Sequence, residues 1–385
     1  MNILVISPVL PYPPNDGDRI RIYNFLKFLS RWNKIHLVSF IYKGEEKNVK
    51  FLEKFCSSVK IVYITKIQIF FNIFKTLFTS TPLNIGAYQS KKMKEIIEEE
   101  IRDKKIDLIY AYRIRSAPYA LYHGIPTVID IVDSLALVNK RRDIYERNIF
   151  RKIYIKVDYD RILNYEKNLY KNFKKIFINS EDDAKFLNTQ NLYVISNGVT
   201  GRIIKKSKSD KFIIGFFGNI DYAPNYDAVV FFYKNIWKKI TEFDKNIKLI
   251  IAGDKNRKLK NFDDENVEIK GYIDDIEHEI CNWDVSLVPV RYGAGRQNKI
   301  LKSWACGIPV VATPFAASGV YGKHGKNLLI AENSDDFIQA IYNIKNNKKM
   351  REKIIKGGFD TVKKYFNWQK NLNNLRNILR KVVNK

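Results

Sequence analysis

Short apolar runs recur through the first half of the chain, at residues 3–6, 35–40, 59–64, 108–112, 127–131, 175–178 and 193–195. Segments with helical spacing of apolar positions separate them, at 19–30, 47–55, 91–102 and 158–172. Strand and helix patterns in alternation predict an open, doubly wound α/β domain over residues 1–199. A polar, basic stretch follows at 200–210 and reads as a linker. The alternation then restarts, with strand patterns at 212–217, 248–252, 267–269, 285–288 and 308–312 and a helical one at about 225–240. A second α/β domain is therefore expected over 211–365. The closing segment, 366–385, carries a basic amphipathic helix over 368–383. Leu372, Leu375, Ile378, Leu379 and Val382 share its apolar face.

The most informative stretch runs from 271 to 319. An apolar run, 285–288, ends at Pro289, and a glycine-rich turn, Tyr292-Gly-Ala-Gly295, leads into a helical pattern closed by Gly307 and Pro309. In parallel α/β folds, ligands sit at the carboxyl ends of strands and anions sit on helix N-termini. That position here carries Gly293, Gly295, Arg296, Gln297, Asn298 and Lys299. Glycines let backbone N–H groups approach an anion, and Arg296 and Lys299 are spaced to share one helix face. A phosphate-bearing ligand is expected; the alternative is an ordinary loop with solvated cations. The first domain has a comparable loop, PVLPYPPNDGDRIRIYN at 8–24. Asp16 or Asp18 can cap the helix that follows, and Gly17 allows close backbone approach to a ligand.

Composition narrows the function classes. The 385 residues carry a net charge of +26, which implies a polyanion nearby, either nucleic acid or an anionic membrane surface. No helix-turn-helix, zinc finger, RNA-binding aromatic signature or Walker A motif accompanies that charge, so nucleic acid is not the expected partner. Cys56, Cys281 and Cys306 form no CxxC pair, and with only four His no metal site is expected. The N-terminal apolar run is too short for a signal peptide, and the expected location is cytoplasmic. Residues 67–78, IQIFFNIFKTLF, are aromatic but too short to span a bilayer. They form either an amphipathic helix lying in a membrane interface or a buried helix or cap over an acceptor cleft.

Taken together, the motifs resemble the retaining, GT-B-fold glycosyltransferases of family 4, over nearly the whole chain. The strongest is NKILKSWACGIPVVAT at 298–313, similar to the family's element ending in A-x-G-x-P-V-V. ISNGV at 195–199, FFGN at 216–219, IIAG at 250–253, GYIDD at 271–275 and WDVSLVP at 283–289 support it in order and spacing. PPNDGDR at 13–19 and DYAPNYDA at 221–228 resemble a subgroup of bacterial sugar transferases associated with exopolysaccharide gene clusters. The resemblance implies two Rossmann-like domains facing across a cleft. The first binds the acceptor, the second binds a nucleotide-sugar donor, and the C-terminal helix crosses back onto the first.

It also implies residue roles. Arg296 and Lys299 match positions that neutralise the departing diphosphate. Gly17 with Asp16, Gly218, Asn219, Gly293, Gly295, Asn298 and Lys302 fall where the donor is held. Asp133 would position the acceptor or merely cap a helix. Neither a metal nor another cofactor is implied, the nucleotide sugar being a substrate. A glycan or polyprenyl-linked acceptor, presented at the inner membrane face, would complete the reaction. One departure stands out: two glutamates usual in the family fall at Ala294 and Lys302, and a lysine can only donate where a carboxylate accepts from ribose hydroxyls. A non-catalytic binding or scaffold protein of a glycan assembly system is the second reading.

Overall fold

The computed structural model describes residues 1–146, 148–201, 209–253, 259, 262, 264–293 and 296–383, without the side chains of Tyr145 and Phe150. The chain divides into two units, Met1–Ser196 with Gln369–Lys385, and Asn197–Trp368. Each holds its own parallel sheet.

In the first unit the strands are β1 (Asn2–Ser7), β2 (Lys34–Ile41), β3 (Ser58–Tyr63), β4 (Leu108–Tyr112), β5 (Thr127–Val132), β6 (Lys175–Ile178) and β7 (Leu192–Val194). Among the described residues they pair in the order β3-β2-β1-β4-β5-β6-β7. The chain steps outward from β1 to β3, then crosses to the other side at β4. The crevice beyond the carboxyl ends of β1 and β4 is thus a topological switch point. The helices that matter below are α1 (Gly17–Leu29), α2 (Lys66–Leu77), α3 (Lys91–Asp103), α4 (Leu135–Tyr145) and α5 (Ile149–Leu169). α1 is keyed to the sheet by a fully buried pair, Arg21 Nε donating to Asp130 at 2.8 Å, with the Tyr110 hydroxyl on the same carboxylate at 2.8 Å.

The second unit repeats the plan with β8 (Phe212–Phe217), β9 (Ile247–Ala252), β10 (Val267–Lys270), β11 (Val285–Val288), β12 (Val310–Ala312) and β13 (Leu329–Ile330). Their order is β10-β9-β8-β11-β12-β13 among the described residues, so the switch point lies between β8 and β11. α6 (Ala223–Phe232) follows β8, and α7 (Asn298–Ala305) follows β11. The last helix, α8 (Trp368–Val383), buries the five apolar residues of its predicted face, Leu372, Leu375, Ile378, Leu379 and Val382. From Gln369 onward it belongs to the first unit. Asn371 donates to the Ser196 carbonyl at 2.9 Å and the Arg376 guanidinium lies 4.0 Å from the centre of the Trp32 ring. Each buried aliphatic side chain contributes on the order of 1.5–3 kcal/mol, which is enough to fix the helix there.

Two elements depart from the sequence reading. The helix expected from residue 158 begins at Ile149, and α4 precedes it. α5 is apolar on several sides, with Ile155 and Ile162 buried but Ile149, Ile153 and Val157 exposed, so no one-sided stripe marks its start. α4 is held by tertiary bonds. Ser134 caps it, accepting from Leu137 N–H, and Glu166 of α5 accepts from the Ser134 hydroxyl and the Leu135 N–H at 2.9 Å each.

Glu166 is fully buried, and that burial pushes its pKa from 4.5 up to about 7 despite these donors, with Asp183 adding repulsion. The folded chain therefore holds a proton there that the unfolded chain has released. Between the unfolded value of 4.5 and the folded value of about 7, its contribution to stability falls as pH rises. Denaturant melts across that window should show wild type losing up to about 3 kcal/mol relative to Glu166→Gln. Parallel pH profiles for the two proteins would refute a protonated buried Glu166.

Candidate functional site

The switch point of the second unit gathers most of the residues singled out above. β8 is followed by Gly218, whose φ of +152° favours glycine and whose amide donates to Ala252 O at 2.9 Å. A Cβ on Gly218 would stand 2.7 Å from Lys299 Cε and 3.0 Å from its Nζ, so the lysine chain lies directly on this backbone. Lys299 Nζ donates to Asn225 Oδ1 at 2.9 Å, and Asn225 Nδ2 donates to the Asn219 carbonyl at 2.7 Å. Asn219 Oδ1 in turn accepts from Asp221 N–H at 2.8 Å. One chain of hydrogen bonds thus joins the loop after β8 to the first turn of α7. The lysine also stands 5.5 Å from the centre of the Phe216 ring. Burial lowers its pKa to about 8, with no carboxylate among the described residues to offset it.

α7 itself is short and strongly one-sided, with Ile300, Leu301, Trp304 and Ala305 buried. It stops where the sequence says it should. Gly307 takes the left-handed conformation at φ +75°, Gly307 N–H returns to Trp304 O at 3.0 Å, and Ile308 N–H to Ser303 O at 2.9 Å. Its other end is open, because Gln297 stands at the cap position without a side-chain cap bond. Asn298 N–H turns to Arg296 O and Ile300 N–H to Gln297 O, at 3.0 Å each, and the helix start beside a partly desolvated ammonium is a setting suited to an anion.

The loop between β11 and α7 packs on the loop after β8. Gly293, at φ +134°, comes so close that a Cβ would be 3.3 Å from Pro224 Cγ and from the Tyr222 hydroxyl. Asn298 opens α7 half-buried, and Ala294 and Gly295 lie outside the described residues. Arg296 corrects an expectation. Because α7 starts at Asn298, Arg296 precedes it and shares no helix face with Lys299. It is buried, with Nε donating to Gly319 O at 2.8 Å and its guanidinium 4.8 Å from the centre of the Phe366 ring. Lys302 is in the last turn, half-buried, with no ion pair among the described residues. Arg296 and Lys299 therefore do not form the pair on one helix face that spacing suggested. Asn225 was missed, although it lies within DYAPNYDA; nothing in its neighbours signals that its amide would hold Lys299.

In the first unit the corresponding loops also carry charge. Asp16 is the cap of α1, accepting from Arg19 N–H at 2.9 Å, and Gly17 is the first helical residue. The Arg113 guanidinium, just after β4, donates to Asp18 at 2.5 Å, and the Tyr112 hydroxyl donates to Asp18 O at 2.7 Å. Arg113 and Val132 both have left-handed backbone, φ +64° and +65°, where side-chain-bearing residues are strained. Pairing of β5 shifts register between Asp130 and Val132, which turns the chain at Asp133. Asp133 does not cap α4, since Ser134 does. Its Oδ1 is buried with no hydrogen-bond partner among the described residues. Burial, joined by repulsion from Asp183, pushes its pKa up to about 6, against the pull of Arg113. Among the described residues no group of three or more His, Cys, Asp and Glu could hold a metal ion.

Comparison with known proteins bears on this arrangement. Residues 211–347 match the family Glycosyl transferases group 1. The matched residues lie in the second unit. Its matched span contains the Lys299 site. A Klebsiella pneumoniae protein described as "Uncharacterized 44.6 kDa protein in cps region" is 23% identical over 96% of this chain and 97% of its own length. Among solved structures, Anabaena Alr3699/HepE in complex with UDP and glucose superposes with TM-score 0.68 at 15% identity, covering 99% of this chain and 100% of that one. Sucrose-phosphate synthase from Thermosynechococcus elongatus gives TM-score 0.71 at 14% identity over 99% and 98%. These structures share the GT-B fold, two Rossmann-like domains, and so does this chain.

Proposed function

We propose that the protein is a glycosyltransferase that moves a hexose from a nucleotide diphosphate sugar, with retention, to a lipid-linked or polysaccharide acceptor of a bacterial surface glycan. The observation that carries this reading is Lys299, its pKa lowered by burial and its ammonium held by Asn225 beside the uncapped start of α7. A diphosphate would take that ammonium at the positive end of the α7 dipole. The group 1 match and a structural relative bound to UDP and glucose support the donor class. The relative in a cps region supports the glycan setting.

In the reaction, the acceptor oxygen forms its bond to the anomeric carbon as the carbon–oxygen bond to the diphosphate breaks. The acceptor proton passes to the leaving diphosphate. The protein's share is orientation and charge stabilisation, and Lys299 faces the oxygen on which negative charge develops. Buried Arg296 holds the loop that carries these groups. Asp133, ionised above about pH 6 and lacking a partner at Oδ1, accepts from an acceptor hydroxyl. Asp133→Asn should then lower transfer to the acceptor roughly 10- to 100-fold, the range for a hydrogen bond to a charged group, and leave nucleotide-sugar binding unchanged. Equal transfer rates would remove Asp133 from the acceptor site.

Lys302 favours one other reading, a non-catalytic donor-binding subunit, since it stands where the resemblance to family 4 implies a carboxylate for ribose. Incubation with nucleotide sugars and candidate acceptors separates the two. Transfer yields a nucleoside diphosphate and a product whose anomeric configuration, read by NMR, is that of the donor. Binding without diphosphate release favours the subunit.

A further inference from the structure

α2 turns two of its polar residues, with Ile69, toward the protein: Asn72 Nδ2 donates to Ala87 O at 3.1 Å and to Gln89 O at 2.9 Å. Thr76 is buried, pressed so closely on Gly86 that a Cβ there would lie 2.0 Å from the threonine oxygen. All of its phenylalanines face outward, Ile67, Phe70, Phe71, Phe74 and, just past the end, Phe78 being 55–78% exposed. A helix that folded only to stabilise the domain would bury those rings and solvate the amide and hydroxyl.

The apolar surface continues onto α5. Arg161 of α5 donates to Leu77 O at 3.2 Å, and Asp158 accepts from Leu83 N–H at 2.9 Å, which brings the C-terminal end of α2 beside that helix. Ile149, Ile153 and Val157, spaced one turn apart on α5, are 49–61% exposed. Neither 66–81 nor 147–157 contains an Asp or Glu, whereas Lys66, Lys75, Arg151 and Lys156 are exposed cations within them. No helix among the described residues is long and apolar enough to cross a membrane.

We propose that this face, α2 with the first turns of α5, is a docking surface for an anionic lipid bilayer. The phenylalanines enter the headgroup–acyl boundary, and the cations at their margin meet lipid phosphates. Charge selects this occupant over a second copy of the chain, because two such faces brought together would set cations against cations. The surface is separate from the Lys299 site, so its test does not depend on sugar transfer.

Flotation of the full-length protein with phosphatidylcholine vesicles, with and without phosphatidylglycerol, tests it. Wild type should float with the anionic vesicles and be released by salt, each surface cation changing the partition constant roughly fivefold. Phe70→Ser, Phe71→Ser and Phe74→Ser together should abolish flotation at any salt, with an unchanged circular-dichroism melt. Arg151→Gln with Lys156→Gln, which leaves the rings in place, should reduce binding to anionic vesicles only. Absence of flotation, equal recovery with neutral and anionic vesicles, or undiminished binding by the phenylalanine variant overturns the proposal. So does a concentration-dependent dimer that the phenylalanine changes dissolve, which would identify the face as a contact between copies.

Discussion

Lys299→Ala should reduce sugar transfer roughly 100- to 1000-fold, the range for removing one preorganised group that stabilises developing charge. The lysine is already desolvated in the free protein, with a pKa lowered to about 8, so it meets a diphosphate without first shedding a full hydration shell. It is also already positioned, its Nζ donating to Asn225 Oδ1 at 2.9 Å. Alanine removes the ammonium but leaves Asn225 its bond to Asn219 O, so the loop after β8 should keep its shape. The pH profile adds a second readout. Only the protonated amine attracts a diphosphate, and kcat/KM reports groups of the free enzyme. Wild-type kcat/KM should therefore fall as pH rises through about 8, and that limb should be missing from Lys299→Ala. A variant within a few-fold of wild type, or one with the same alkaline limb, would place the reaction elsewhere.

Gly253→Ala should destabilise the second unit by about 3 kcal/mol or more, the sum of overpacking and left-handed backbone strain. Gly253 follows β9 with φ +155°, and a Cβ there would lie 2.0 Å from the carbonyl oxygen of Gly218. Neither partner can yield by rotating a side chain, because the obstacle is main chain. Relief must come from parting the ends of β8 and β9, and Gly218 carries Lys299 on its other side. Thermal unfolding should show a transition lowered by roughly 6–12 °C. Donor binding should weaken in the same variant at temperatures where it is still folded. An unshifted transition would mean that the backbone approach is looser than described.

Much of this could be read before any coordinates. The strand patterns and α8 were legible because apolar residues buried by a sheet or on one helix face leave a period in the chain. The Gly307 stop of α7 was legible because a left-handed position favours glycine. Arg296 was misplaced because spacing locates a residue on a helix only if the helix has begun, and α7 begins two residues later. α4 was missed because its anchor, Glu166, lies on another element and leaves no local mark. The outward phenylalanines of α2 were ambiguous for the opposite reason: an amphipathic pattern says that one side differs, and only contacts such as those of Asn72 say which side faces the protein. Asp133 carried two readings until Ser134 was seen to hold the cap.

The central claim is that the switch point between β8 and β11 takes a nucleotide diphosphate sugar on Lys299. Titration calorimetry with a panel of nucleoside diphosphates and their sugars, on wild type and Lys299→Ala, tests it most directly. The account predicts that at least one nucleotide binds wild type with one site per chain and binds the variant roughly 10- to 100-fold more weakly, as expected for losing a charge-assisted contact. No binding by any member of the panel, or equal affinity for both proteins, would contradict it.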